Sequence, residues 1–373
     1  VIGATGLQGN IVSRDLLEKK YRVLLCGRNK SRVDDLLKRH RKALFRYLDL
    51  RNSADIIKVL KRSGAKIIIN CAEGDYDLKV QEICLKLGVH YLDLGSEVPM
   101  TKQQFALHEK FQNKKLCAIT GCGSVPGIGN VMLRHAAEKL DKISSVDVGF
   151  AWTPNMKKFV VPFSIESIVE EFTEKPDVLK GGVLKKTRPQ QDSRLAKFWK
   201  IGQQRIFLVR HPEPYTFYRY LKEKGVRSIK FFAGFPEFSY QTIITFIKSG
   251  AASKNPVDGK RRIDLLVEDL KANYPPKGYR EKENLWLIIK GTKNKKKRTI
   301  RMNCIVPTIK GWEKHGCNID TGLTCSIIAQ MLKEGTITST GSRSPEFFVP
   351  MKPFFKELAK RKMAVYENGK RIN

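Results

Sequence analysis

No run of about 18 uninterrupted apolar residues occurs in this chain, so a membrane-spanning helix is not expected. Among its eight cysteines there is no C-x-x-C pair, and its six histidines form no ligand spacing with them; a structural metal is therefore not expected. Most of those cysteines fall in apolar stretches, where Cys serves as a small core residue. That usage predicts a reducing, cytoplasmic compartment. No signal-peptide pattern precedes the first strand. The chain opens inside that strand, which predicts a few further residues upstream. No internal repeat is visible.

Acidic residues are scarce. Seventy Lys and Arg face 37 Asp and Glu, a net charge of +33. Such a field attracts polyanions, nucleic acid and anionic membrane included. The basic residues are nevertheless spread along the whole chain and mixed with Glu. The one dense run, Lys293–Arg298, lies between two alternating stretches, Leu285–Ile289 and Ile300–Cys304, and reads as a hairpin tip. A solvated surface is thus preferred to a nucleic-acid partner, and an anionic substrate or cofactor profits from the field either way. At 373 residues with 41% hydrophobic content, the chain is long enough for two domains with cores of their own.

What the chain does carry begins at its first residues. Val1-Ile2 reads as the end of a strand, followed by Gly3-Ala4-Thr5-Gly6-Leu7-Gln8-Gly9 and then a helical pattern with Ile11, Leu16 and Leu17 on one face. In such a turn one glycine makes the sharp exit from the strand, one lets backbone approach a pyrophosphate, and one lets helix and strand pack closely. The helix points its N–H groups and positive dipole end at the phosphates. A lone glycine triplet is equally a surface turn, so its context decides. A second strand, Arg22–Cys26, ends in Gly27-Arg28-Asn29, about 20 residues past the last glycine, where the ribose-reading residue belongs. An acid there would accept bonds from ribose hydroxyls. Arg28, with Arg32 one helical turn on, suits a 2′-phosphate instead. The reading is NADP(H) over NAD(H), against the alternative that Arg28 is merely exposed.

Strand and helix alternate through the first 120 or so residues. Strands are expected at Val1-Ile2, Arg22–Cys26, Ala43–Leu48, Lys66–Asn70, His90–Leu94 and Leu116–Thr120. Helices are expected near Gly9–Lys19, Ser31–Lys38, Ser53–Ser63, Leu78–Leu87 and Thr101–Asn113. This alternation predicts an α/β fold with a Rossmann-type, doubly wound parallel sheet. Ligands sit at the carboxyl ends of such strands. Those ends carry Gly3–Gly9, Arg28 and Asn29, Asp49 and Leu50, Cys71 and Ala72, Asp93–Glu97 and Gly121–Gly129, and all are expected to meet in one crevice. From about Val125 longer alternating strands appear (Ser145–Trp152, Gln204–Val209, Ser228–Ala233, Leu285–Lys290, Thr299–Val306). Helices stand among them near Ile165–Glu171, Pro214–Glu223, Ser239–Ser249 and Arg262–Asn273. Lys180–Phe198 is polar and Gly/Pro-punctuated and reads as a loop. The expected organisation is residues 1–124 binding the dinucleotide, 125–318 an α+β substrate and dimerisation domain, and 319–373 a helical segment (Asp320–Lys333, Pro353–Arg361) returning to the first domain. An open sheet in the middle region needs covering, and a second copy of the chain is one way to cover it.

Several segments, in this order and spacing, resemble the saccharopine dehydrogenase-like oxidoreductases, the branch with saccharopine reductase, carboxynorspermidine dehydrogenase and lysine 6-dehydrogenase. They are Ile69-Asn70-Cys71-Ala72; His90-Tyr91-Leu92-Asp93-Leu94-Gly95-Ser96-Glu97; Gly121–Asn130; Arg210-His211-Pro212-Glu213-Pro214-Tyr215-Thr216; Gly234-Phe235-Pro236; Asp320-Thr321-Gly322; and Ser344-Pro345-Glu346 with Pro350, Phe354 and Phe355. The resemblance spans nearly the whole chain. It implies hydride transfer between NADP(H) and a carbon bound to nitrogen, on an amino-acid or polyamine-like substrate. It places Cys71 and Ala72 beside the nicotinamide ribose and likens Pro126-Gly127 to the turn nearing the nicotinamide ring, although a helix start with Pro before its first position explains that pair equally. The chain departs from the family at Val125, preceded by Ser124, where an Asp stands before Pro-Gly; these two are the candidates for reading the substrate.

An iminium is cationic, so a carboxylate beside it would stabilise it. Asp93 and Glu97, four apart at one strand end, are the catalytic candidates, with the alternative that Asp93 hydrogen-bonds the following turn. His211, whose ordinary pKa lies near neutrality, is a candidate proton shuttle against the alternative of a hydrogen-bonded structural histidine. Glu213 and Tyr215 beside it are candidates for the substrate pocket. Two other readings stay open: an NADP(H)-dependent reductase of C=O or C=C bonds on the same scaffold, favoured by Val125, and a non-catalytic dinucleotide-binding protein.

Overall fold

The computed structural model describes residues 1–95, 97–161, 164–272 and 276–373; Ser96 and the helix end expected at Asn273 lie outside the described residues. The chain divides into two compact units. The first comprises Val1–Lys139, Ile319–Arg361 and Asn373; the second comprises Leu140–Asn318 and Lys362–Ile372. The division therefore falls past the helix Ile128–Ala137, which stays with the first unit, and not at 124/125. The C-terminal segment is also split: its last strands, Ala364–Glu367 and Lys370–Arg371, belong to the second unit.

The first unit holds a parallel sheet. Val23–Gly27 pairs with Ala43–Tyr47 on one side. Ile67–Asn70, His90–Asp93, Cys117–Ile119 and Gly341–Arg343 run in that order on the other. Ile2 zips the two halves together. Its N–H donates to Ile69 O at 2.8 Å, and Cys26 N–H donates to Val1 O at 2.8 Å. The strand order is that of a Rossmann sheet, with Gly341–Arg343 added at the far edge. The crossover helices Leu7–Glu18, Ser53–Ser63 and Asp77–Leu87 form much as their apolar periodicity predicts. Asn52 caps Ser53–Ser63 by accepting from Ala54 and Asp55 N–H, and Gly64 ends it at φ +63°. One expected helix breaks in two, Val98–Ala106 and His108–Asn113. Ile319–Lys333 packs along Leu7–Glu18 so closely that a Cβ on Gly322 would lie 2.6 Å from Ile11 Cβ. Tyr91, Phe111, Ile56 and Val80 lie in the sealed core beneath the strand ends.

The second unit is built on a mixed ten-stranded sheet among the described residues. Lys142–Pro154 lies at its centre, parallel to Ser228–Phe235 on one side and antiparallel to Glu281–Lys293 on the other. Glu281–Lys293 and Lys296–Pro307 form a long hairpin whose tip turns at Asn294 and Lys295, both at positive φ (51° and 62°). The basic run is thus a hairpin tip. Gly149 allows the central strands to meet, since a Cβ there would lie 1.9 Å from Phe232 O. Lys180–Phe198 is not simply a loop: it contributes strands Val183–Lys186 and Arg194–Phe198, the latter paired with Gly202–Leu208. Backbone pairing overrides the polar composition there. Phe150 and Phe172 meet Phe235 edge to face and Phe207 stacks on it on one side of the sheet, and Ala151, Ile206, Phe232 and Trp286 pack on the other. Among the described residues no helix is long and apolar enough to cross a membrane.

Candidate functional site: the strand-end crevice of the first unit and a buried acid–imidazole cluster in the second

The glycine turn closes as a phosphate cradle. Gly3 sits at φ +73°, and a Cβ there would lie 2.8 Å from Cys71 O and Ala72 N. Gly6 N–H donates to Gly3 O at 2.9 Å. Gly9 meets the strand so tightly that a Cβ would fall 2.2 Å from Gly3 O. Gly27 leaves room for the Thr5 side chain, 2.5 Å from where its own Cβ would be. The helix Leu7–Glu18 starts at Gly6, which offers no side chain to cap it, so its positive end is presented to a ligand.

A cavity of about 290 Å³ opens beside this turn. It gathers Gly3, Thr5, Gly6, Arg28, Arg32, Asp49, Leu50, Cys71 and Ala72 from separate loops, as the strand-end rule predicts. Arg28 and Arg32 are exposed and form no salt bridge among the described residues. Ala4 is sealed, zipped to Cys26 O at 3.0 Å. Leu7 and Gln8 lie in the first helical turn, outside the cavity lining. Asn29 lies outside the cavity lining; its Oδ1 accepts from Ser31 N–H at 3.1 Å and from Ser31 Oγ at 2.7 Å, so it caps the following 3-10 turn. Arg51, Glu73 and Tyr76 line the cavity as well. Arg51 clamps Asp49 through Nε at 3.0 Å and Nη2 at 2.5 Å, and its side-chain hydrogen bonds hold the Asp49 carboxyl down to about 2.

At the neighbouring strand ends Asp93 is completely buried. Its Oδ1 accepts from Gly95 N–H at 2.9 Å and Gly121 N–H at 2.7 Å; its Oδ2 accepts from Gln104 Nε2 at 2.7 Å. It clasps two turns together and does not stand on an open wall. Glu97 is half-buried and begins the helix Val98–Ala106. Asp77 is buried nearby, accepting from Asn70 Nδ2 at 2.7 Å and Tyr91 OH at 3.1 Å. Burial, then the charge of Asp93, pushes its pKa well above the usual carboxylate range. A buried acid of this kind keeps its proton in the folded chain after the unfolded chain has lost it. Stability is then full below about pH 4 and falls as pH rises through the folded-state pKa. Asp77→Asn should flatten that decline by up to about 1.4 kcal/mol per pH unit, measured as urea unfolding from pH 4 upward; an unchanged slope would contradict it.

The turn Gly121–Asn130 is held from several sides. Gly123 N–H donates to Pro126 O at 2.8 Å, Gly127 N–H donates to Asn130 Oδ1 at 2.7 Å, and Asn130 Nδ2 donates to Glu346 Oε2 at 2.7 Å. The Val125–Pro126 peptide is cis. Pro126 packs where Cβ atoms on Gly95 and Gly121 would be, 2.7 Å and 2.9 Å away. Gly127, at φ +136°, admits no side chain. Val125 is only 7% exposed and turned into the core, so it is not on the crevice surface; Ser124, half-buried, takes a hydrogen bond from Thr321 Oγ1 at 3.2 Å.

In the second unit His211 Nδ1 pairs with Glu213 Oε2 at 2.8 Å, and its ring stacks flat on Phe231 with centroids 3.7 Å apart. Glu213 is fully buried at the start of the helix Glu213–Leu221. Burial works against the imidazolium, but Glu213 and then Glu171 outweigh it and raise the His211 pKa. Burial pushes Glu171 up to about 8, with His211 and Arg210 opposing. Tyr215, half-buried, follows in the same first turn. Glu171 carried no signal of its own in the sequence, standing among Glu166, Glu170 and Glu174.

A dinucleotide fits the first unit on three counts: a cradle that any side chain on Gly9 would fill, an uncapped helix end, and two exposed arginines where a 2′-phosphate would lie. Comparison with known proteins agrees. The saccharopine dehydrogenase NADP binding domain matches residues 1–119, and the saccharopine dehydrogenase C-terminal domain matches residues 123–363. Carboxyaminopropylagmatine dehydrogenase of Synechocystis is 25% identical over 82% of this chain and 80% of its own length. Carboxynorspermidine synthase of Vibrio cholerae is 24% identical over 48% of this chain and 46% of its own. The apo saccharopine dehydrogenase (L-Glu forming) from Saccharomyces cerevisiae shares the fold at a TM-score of 0.71, covering 97% of this chain and 98% of that one at 12% identity. With both domain models matched in order across nearly its whole length, the chain belongs to the saccharopine dehydrogenase family of oxidoreductases, with NADP(H) as its cofactor.

Proposed function

We propose that this oxidoreductase acts on a C–N bond, reducing an imine of an amino-acid or polyamine-like substrate to a secondary amine or oxidising it in reverse. The observation that carries the reading is the match over 82% of the chain to a dehydrogenase whose name describes a carboxylated aminopropyl group joined to agmatine, an amine. NADP(H), when bound, supplies or accepts the hydride. The cradle Gly3–Gly9 holds its diphosphate, and Arg28 and Arg32 hold its 2′-phosphate. Asp93 fixes the turns at Gly95 and Gly121 so that the crevice keeps its shape. Glu97, and Ser124 beside the Val125 that stands where the family has an Asp, meet the substrate. In the second unit, His211, held by Glu213, has a ring suited to carrying a proton.

The test is NADPH oxidation with amines crossed against aldehydes and 2-oxo acids. Turnover with at least one pair supports the reading. No turnover with any pair, while simple ketones or enones react, favours a C=O or C=C reductase. NADPH binding with no turnover at all would leave a binding protein. Cofactor choice has its own check. Arg28→Asp removes a charge-assisted phosphate contact and adds repulsion, so NADPH affinity should fall about 10–100-fold while NADH affinity holds or improves. Unchanged NADPH affinity by fluorescence titration would remove Arg28 from the site.

We further propose a homodimer. The exposed Val183, Leu195 and Trp199 on and beside the outer strands of the second unit support it. Sedimentation velocity should give a dimer at micromolar concentration.

A further inference from the structure

The cavity beside the glycine turn is lined by three cations, Arg28, Arg32 and Arg51, and by two carboxylates, Asp49 and Glu73. The sheet decides which acid stands beside which arginine. Val23–Gly27 and Ala43–Tyr47 are neighbouring parallel strands that end in step, with Gly27 opposite Tyr47. Just past that pair Leu48 N–H donates to Gly27 O at 3.2 Å. Arg28 and Asp49 therefore leave the sheet side by side, from strands about 4.8 Å apart. Glu73 follows Ile67–Asn70, on the far side of Ile2. An anion held at Arg28 meets Asp49 before any other acid of the lining.

Asp49 is not left bare. Arg51 N–H donates to its Oδ1 at 3.0 Å, Arg51 Nε to Oδ1 at 3.0 Å and Oδ2 at 3.1 Å, and Arg51 Nη2 to Oδ2 at 2.5 Å. The Arg51 side chain is 73% exposed and covers an Asp49 side chain that is 16% exposed. An ion pair so open to water adds little to stability. What it alters is the charge that faces the cavity. With Arg51 in place the lining has one more cation than carboxylates; without it the two are equal. A bare Asp49 would also draw the Arg28 guanidinium to itself, since a fork of donors pairs readily with a carboxylate. It would repel a phosphate at the same place. A ribose hydroxyl there would suffer neither effect, because a carboxylate accepts from it.

We infer that Arg51 is a specificity-determining residue for the phosphorylated cofactor. By holding Asp49 it keeps that carboxylate off both Arg28 and the 2′-phosphate, and Arg28 and Arg32 stay available to the phosphate. Arg51 is thus a positioning residue that acts through Asp49. The inference rests on the placement of the 2′-phosphate at Arg28 and Arg32.

The test uses the full chain and two probes of the adenosine end, adenosine 2′,5′-bisphosphate and AMP, each titrated calorimetrically. The readout is the ratio of the two affinities, which a general loosening of the site does not move. Arg51→Gln should cut the preference for the bisphosphate at least about 10-fold. Adding Asp49→Asn to it should restore the ratio to within about 3-fold of the unchanged protein, because the carboxylate that needed holding is gone. Melting curves confirm that each variant is folded. An unchanged ratio in the Arg51→Gln protein overturns the inference. So does a double variant as poor as the single one, which would make Arg51 a direct ligand of the phosphate. Arg28→Asp is measured beside them. If it destroys the preference while Arg51→Gln does not, the placement of the phosphate stands and this inference falls. If Arg28→Asp changes nothing, while Arg51→Gln loses the preference and Asp49→Asn restores it, the role of Arg51 stands and the placement at Arg28 falls.

Discussion

Gly9→Ala should remove NADPH binding, lowering affinity at least 100-fold, with unit-wide destabilisation of about 1–3 kcal/mol from overpacking. Alanine is the better helix former by about 1 kcal/mol, so propensity alone predicts a gain. The geometry decides otherwise. The new Cβ would stand 2.2 Å from Gly3 O, 2.6 Å from Gly3 C and 2.8 Å from Ala4 Cα, all backbone atoms of the cradle. None can move without opening the turn or pushing the helix off the strand. Gly64→Ala is the control: at φ +63° with nothing within 4 Å, it should cost about 1–2 kcal/mol of backbone strain and leave NADPH affinity unchanged. Fluorescence titration with thermal melting separates the two. A Gly9→Ala protein that binds NADPH normally would show that the turn is not a phosphate cradle.

The second large effect lies behind that turn. Asp15, on the helix that starts at the cradle, is paired with Arg361 through Nη2 at 2.8 Å and Nε at 3.1 Å. Ser326 Oγ donates to the same carboxylate at 2.6 Å and Gln330 Nε2 at 2.9 Å. Arg361 Nη1 also reaches Glu357 at 3.0 Å. The two charged side chains are only 8% and 7% exposed. The network ties Leu7–Glu18 to Ile319–Lys333 and to the end of Met351–Lys360. Removing one partner strands a buried charge, so Asp15→Ala or Arg361→Met should cost about 3–5 kcal/mol. The double change Asp15→Leu with Arg361→Met should recover part of that loss, because neither member of the buried ion pair is then left unpaired, although Ser326 and Gln330 lose an acceptor and Glu357 a donor. Urea unfolding of the four proteins measures it. Equal losses in the single and double variants would mean that packing, not charge, dominates the site.

Much of the first unit is readable in the sequence, because its signals are local. A strand end, three glycines and an amphipathic helix fall within the first 18 residues, and Arg28 stands where strand geometry requires the ribose reader. The strand-end crevice then follows from the alternation alone. What escapes the sequence depends on partners distant in the chain. Asn29 looks like a ligand-facing residue until its side chain is seen capping the next turn. Val125 looks like a substrate-facing replacement, but the turn buries it and leaves Ser124 on the open side. Asp93 has the chemistry of a catalytic acid, and three hydrogen bonds from Gly95, Gly121 and Gln104 also make it a clasp between turns. Arg51 is silent because its role comes from clamping Asp49. Glu171 is hidden among exposed glutamates of its own helix and acquires meaning only when His211 arrives from a loop 40 residues on. The strands within Lys180–Phe198 and the departure of 362–372 to the second unit arise from sheet pairing that composition does not report.

The central claim is hydride transfer to a carbon that becomes bonded to nitrogen. It is tested most directly with NADPH deuterated at C4, in each of its two stereochemical forms, supplied with an amine and a carbonyl compound that together support oxidation. Mass spectrometry of the product should find amine plus carbonyl, less water, plus two hydrogens. With one of the two cofactor forms, a single deuterium should lie on the carbon next to nitrogen. Deuterium recovered in an alcohol or a saturated carbonyl compound, with the amine returned unchanged, would contradict the account.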